Sequence, residues 1–69
     1  MAINTYHIYT TNVICHFFTA EGETLRCNDC GTMDDIHERM CKIIVKHNFT
    51  SADACSAETG EVLMVIERT

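Results

Sequence analysis

"TMDDIHERMCKIIVKHN", residues 32–48, decides the fold. Stepped at 100° per residue, Met33, Ile36, Met40, Ile43, Ile44 and His47 fall on one side of a helix. Asp35, Glu38, Arg39, Lys42 and Lys46 fall on the other. Thr32 is a good N-cap, and Asp35 three residues later approximates a capping box. Asp34 and Asp35 in the first turn complement the helix dipole. Asp35–Arg39 and Glu38–Lys42 are i,i+4 pairs in the favoured order. The spacing predicts a helix from about 33 to 47 that stops near Asn48.

The flanking segments read as strands. "INTYHIYTT" (3–11) alternates and is rich in β-branched and aromatic residues, and "NVICHFFTA" (12–20) reads as another strand or as a continuation past a bend at Thr10 to Asn12. "EGE" (21–23) is a turn, and "TLRC" (24–27) returns as a short strand of a hairpin. After the helix, "FTSADACSA" (49–57) admits both a strand and a short helix capped by Ser51. "ETGE" (58–61) is a turn and "VLMVIER" (62–68) a strand. The expected fold is α+β over residues 1–69 as one domain. An antiparallel sheet of about four strands carries one amphipathic helix on one face, in the order β-β-α-β-β.

Such a helix covers only one face of the sheet. Val13, Ile14, Cys15, Phe17 and Phe18, and again Val62 to Ile66, are apolar on both sides of their strands. The face away from the helix is therefore expected to show Ile14 and Phe18, or their neighbours, with Leu63 and Val65 to water. That patch is to be covered by segment 49–57, by the target or by a second copy, of which a homodimer is the preferred reading.

The 69-residue chain is small enough that a metal, disulfides or a partner would help to stabilise it. Five cysteines in a chain whose start has no basic stretch leading into an apolar run point to free thiols in a cytoplasmic protein. No apolar run approaches the length of a membrane span.

The net charge of −5 is concentrated between residues 21 and 38, where Glu21, Glu23, Asp29, Asp34, Asp35 and Glu38 face Arg26 alone. Direct nucleic-acid binding needs a basic footprint, which this chain lacks. These six carboxylates are instead the candidate contacts to a basic protein surface.

"CNDCG" (27–31) raises the question of metal. Cys27 and Cys30 on a turn, with His37 and Cys41 one helical turn apart, would make a zinc set of spacing C-x2-C-x6-H-x3-C. Cys15, His47 and Cys55 compete for the same role. The plainer reading has Cys27 ending a strand, Asn28–Gly31 forming a turn, and Cys30 tucked under the helix start as a small apolar residue. That reading is favoured here: no metal, no cofactor, and a fold that does not depend on zinc. Thiol redox chemistry is a third reading, and Asp29, Asp34 and Asp35 around the CxxC favour the neutral thiol. His7 and His16 read as partly exposed sheet residues. There is no phosphate-binding glycine loop and no nucleophile elbow, so an enzyme is not expected.

The layout "VICHFFTAEGETLRC" followed by "TMDDIHERMCKIIVKHNFTSADACSAETGEVLMVIE" resembles that of short accessory proteins of bacteriophages and mobile elements, among them anti-CRISPR inhibitors. The resemblance implies a non-enzymatic protein that binds a host nucleic-acid-binding defence complex through acidic surface. The five basic residues limit that to a local acidic patch.

Overall fold

Alternation along Thr11–Phe18 sends Val13, Cys15 and Phe17 to one side of the first strand, where all three are buried. That choice organises the computed structural model, which describes residues 10–22 and 24–68. Among these, four strands and one helix follow in the order β1 (Thr11–Phe18), β2 (Thr24–Gly31), α1 (Met33–His47), β3 (Ser51–Ser56) and β4 (Val62–Glu67). The strands form one antiparallel sheet, spatial order β2-β1-β3-β4. The expected α+β fold is the observed one. The strand expected over residues 3–9 lies outside the described residues.

β1 is one of the two central strands and is already regular at Thr11 and Asn12; the segment that the expected bend would join to it lies outside the described residues. It pairs over its full length with β2, from Thr11 opposite Gly31 to Phe18 opposite Thr24. β2 and β3 both run antiparallel to β1, so they share a direction and need a crossover between them. α1 supplies it: 15 residues rise about 22 Å, close to the length of an eight-residue strand. The Thr32 hydroxyl accepts from the Asp35 amide at 3.1 Å, as expected of the cap. Asn48 ends the helix in the left-handed conformation at φ 59°. The Phe49 amide then bonds the Ile44 carbonyl at 3.0 Å, and the Thr50 amide bonds the Phe18 carbonyl at 2.8 Å, which sets the start of β3 against the end of β1.

The core lies between α1 and one sheet face. Ile36, Met40 and Ile44 from the helix meet Val13, Cys15 and Phe17 from β1, Ala52 and Ala54 from β3, and Phe49. Met33, Ile43, Cys27, Met64 and Ile66 close its margins. The Phe17 and Phe49 rings tilt against each other at 5.4 Å between centroids. Two small alanines in β3 let the helix approach the sheet closely. They also explain why a segment of weak strand formers becomes a strand: its backbone completes ladders with β1 and β4 on either side.

Two expectations are corrected. His47 is exposed, its ring 6.1 Å from that of Phe49, because the helix ends where the sheet ends. Residues 28–31 are not a turn but the second half of β2. The unpaired edge of β1 at Thr11–Ile14 offers backbone partners to all of them, and this outweighs the poor strand propensity of Asn28 and Asp29.

Phe17 has no exposed surface and touches both layers. Phe17→Ala should destabilise the fold by about 3–5 kcal/mol. Chemical denaturation of wild type and variant measures the loss. A change below 1 kcal/mol, about the scale of a surface substitution, would mean that the helix does not pack on this face.

Candidate functional site

The continuous β2 determines where the "CNDCG" residues point. Cys27 lies opposite Cys15 in the ladder and faces the helix, whereas Cys30 is three residues further along and faces away. The zinc set Cys27, Cys30, His37 and Cys41 is therefore not brought together. His37 and Cys41 sit side by side on the helix, 3.8 Å between Sγ and Nδ1, but Cys30 is exposed on the far side of the sheet rather than tucked under the helix start.

Asp29 has a different role from either expectation. Its carboxylate accepts from Arg39 Nε at 2.9 Å and Nη2 at 3.0 Å, and from the Cys30 amide at 2.7 Å. Arg39 Nη2 also donates to the Cys30 carbonyl at 3.1 Å. This fork fixes β2 to α1, and the guanidinium bond holds the Asp29 carboxyl below its ordinary pKa of 3.8. Gly31 makes room for it. Its φ is +154°, and a Cβ there would lie 2.9 Å from Arg39 Nη2.

The remaining acidic residues divide. Asp34 and Asp35 are exposed in the first helical turn, and Glu38 is exposed with Lys42 at 3.7 Å. Glu21 stands in the β1–β2 turn, at the other end of β2 from the helix start, roughly 23 Å along an eight-residue strand. Glu23 lies outside the described residues. The acidic segment of the sequence is thus two separate regions, with the helix start holding Asp34, Asp35 and Glu38.

The face of the sheet away from the helix is the larger open surface. Ile14, His16 and Phe18 from β1 lie on it, half-buried, beside Asp53 and Cys55 from β3 and the more exposed Arg26 of β2 and Val65 of β4. Val65 is 63% exposed, Val62 55% and Leu63 38%. The ladder slips between Ala54 and Cys55, so that Cys55 pairs with Val62 and Leu63 is the extra residue of a bulge. The bulge keeps Val62 beside the open-face residues instead of turning it toward the helix.

Within this face, register places His16 directly opposite Asp53, and Nδ1 lies 3.1 Å from Oδ1. Cys55, two residues along the same strand, donates its thiol to that oxygen at 3.8 Å. The ligand atoms of all three lie within 4.8 Å of one another. Desolvation, then the Asp53 charge, raises the Cys55 thiol pKa. The carboxylate thus favours a protonated sulfur, the reverse of what a catalytic thiol requires. Cys15 is equally unsuited: burial pushes its thiol up to about 11. Sequence reading kept Cys55 among several metal candidates and His16 as a sheet residue. It missed the trio, whose signal is a strand register across 37 residues.

Among the described residues no helix is long and apolar enough to cross a membrane. No family model, no curated protein and no solved structure matches the chain.

The Asp29–Arg39 fork yields a pH prediction. A carboxyl with a depressed folded pKa adds stability above its unfolded pKa and loses it as pH falls through the folded value. Asp29→Asn should therefore be less stable than wild type at neutral pH. The difference should shrink as pH falls from about 5 to below about 3. Denaturation midpoints across that range test it, and a gap independent of pH would sink the linkage.

Proposed function

We propose that this chain is a non-enzymatic protein-binding module. It pairs with a second copy through the open sheet face and presents the acidic helix start to a basic partner. The observation that carries the reading is that open face, where Ile14, Phe18, Val62, Leu63 and Val65 have no covering layer within the described fold.

A second copy fits this face for two reasons. Four strands about 4.8 Å apart and six to eight residues long give a face of roughly 19 by 20 Å. Two such faces bury on the order of 1,000 Å², below the usual range of stable interfaces, so weak and reversible association, no tighter than micromolar, is the proposal. The charges are also self-complementary. Arg26 stands on β2 at one side of the face and Glu67 on β4 at the other, two residue steps apart in level. A two-fold axis along the strands sets Arg26 of one copy over β4 of the other, within about 7 Å of the level of Glu67. Face-to-face packing of this kind leaves both helices outside.

Asp34, Asp35 and Glu38 then remain exposed on each copy to meet a basic surface, Glu38 within an exposed pair with Lys42. A host nucleic-acid-binding complex, as for the anti-CRISPR-like proteins that the layout resembles, has that chemistry. Complementary charge mainly speeds encounter with such a partner. Asp29 takes little part, because Arg39 already engages it.

Val65 points away from the core, so Val65→Glu should fold, with an unchanged circular dichroism spectrum, and sediment as a monomer. Arg26→Glu and Glu67→Arg should each weaken self-association, and the double variant should restore it. A wild type that stays monomeric at 100 µM, about a hundredfold above a micromolar dissociation constant, would overturn the self-association reading.

The acidic helix start is tested separately. Asp34→Lys with Glu38→Lys should reduce capture of the partner from a bacterial lysate and flatten the salt dependence of its association rate. Unchanged capture would make these carboxylates a solvated face only.

A further inference from the structure

We propose that His16, Asp53 and Cys55 form a binding site for a borderline divalent cation, Zn²⁺ foremost, on the open face of the sheet. Three observations combine. The first is donor type: imidazole nitrogen, carboxylate oxygen and thiol sulfur are the three side-chain ligand classes that zinc accepts. The second is spacing. Tetrahedral zinc at ordinary bond lengths sets nitrogen and oxygen about 3.4 Å apart and sulfur and oxygen about 3.6 Å apart. Here those separations are 3.1 Å and 3.8 Å, each a few tenths of an ångström away. The third is rigidity. All three side chains stand on paired central strands, and register rather than a loop brings them together.

The charge also closes. A dication with one thiolate, one carboxylate and one neutral imidazole is net neutral, which suits a site flanked by Ile14, Phe18 and Val65. Binding displaces the Cys55 thiol proton to solvent and makes no other covalent change. The Asp53 carboxylate, which holds that proton in place without metal, becomes a ligand beside the sulfur it formerly accepted from. The fourth position is open to water. The strand ladder sets the three residues in place without metal, so the fold itself does not require the ion. The site stands on β1 and β3 alone and does not rest on the docking reading.

The full chain is titrated with Zn²⁺, and with Co²⁺ as a spectroscopic probe, under reducing conditions. Native mass spectrometry should find one metal per chain, and Co²⁺ should give a thiolate-to-metal charge-transfer band. Cys55→Ser should abolish the band. His16→Ala and Asp53→Asn should each weaken Zn²⁺ binding by more than about tenfold. Cys30→Ser with Cys41→Ser should leave both readouts as in wild type. Zinc affinity should rise with pH as the thiol proton becomes easier to displace. Each variant is checked by circular dichroism, and metal binding is scored only on folded protein. No metal uptake by wild type at micromolar concentration overturns the proposal. So does a band that survives Cys55→Ser and disappears when Cys30 and Cys41 are replaced, which would assign the metal to thiols outside the trio.

Discussion

Among the described residues, one helix has to serve as the whole second layer of a four-stranded sheet. Ile36, Met40 and Ile44 give it a single buried stripe, and that stripe reaches Val13, Cys15, Phe17, Ala52 and Ala54 across the two central strands. The outer strands receive only the margins of the helix: Leu25 on β2 is 43% exposed although it lies on the helix side. The other face receives nothing from the described chain. A domain of this size buries only about 60% of its unfolded surface even when well packed. Its stability therefore depends on a small, dense contact zone around Phe17. The apolar residues outside that zone are the ones available for recognition.

The fork between Asp29 and Arg39 extends the helix–sheet contact beyond the apolar zone. It acts at the N-terminal end of α1, where β2 would otherwise end in a run of weak strand formers. Arg39 binds both the side chain of Asp29 and the backbone of Cys30, so it fixes the strand as well as its charge. The glycine of CxxCG is accounted for by its positive φ and by this fork, because a Cβ there would press on the guanidinium and force it to shift. The same contact removes one carboxylate from the acidic surface. It concentrates what remains on Asp34, Asp35 and Glu38.

The helix, the first hairpin and the last strand with its turn were legible because their signals are local. Thr32, the paired charges and the 3.6-residue stripe mark α1 within its own span. Gly22 and Gly60, both at positive φ, mark turns within a few residues of the strands they join. The extension of β2 through Asn28 and Asp29 was not legible, because it is imposed by the free backbone of β1 and by Arg39. The strand at 51–56 was undecided from sequence for a similar reason: its alanines are chosen for helix clearance, not for strand propensity. His16, Asp53 and Cys55 are the extreme case. No spacing rule joins residues 37 apart. Only the knowledge that β3 pairs with β1 in this register puts them side by side.

The metal and docking proposals meet on one surface, and electrostatics relates them. Desolvating Asp53 beneath a second copy is costly unless its charge is balanced. His16 lies 3.1 Å from it across the two strands, and Arg26 stands opposite His16 on β2. A dication that also takes the Cys55 thiolate sets two positive charges against two negative ones and leaves the cluster neutral. The apolar contacts around it can then set the strength of association. Metal uptake at the trio and burial of the face by a second copy therefore favour each other.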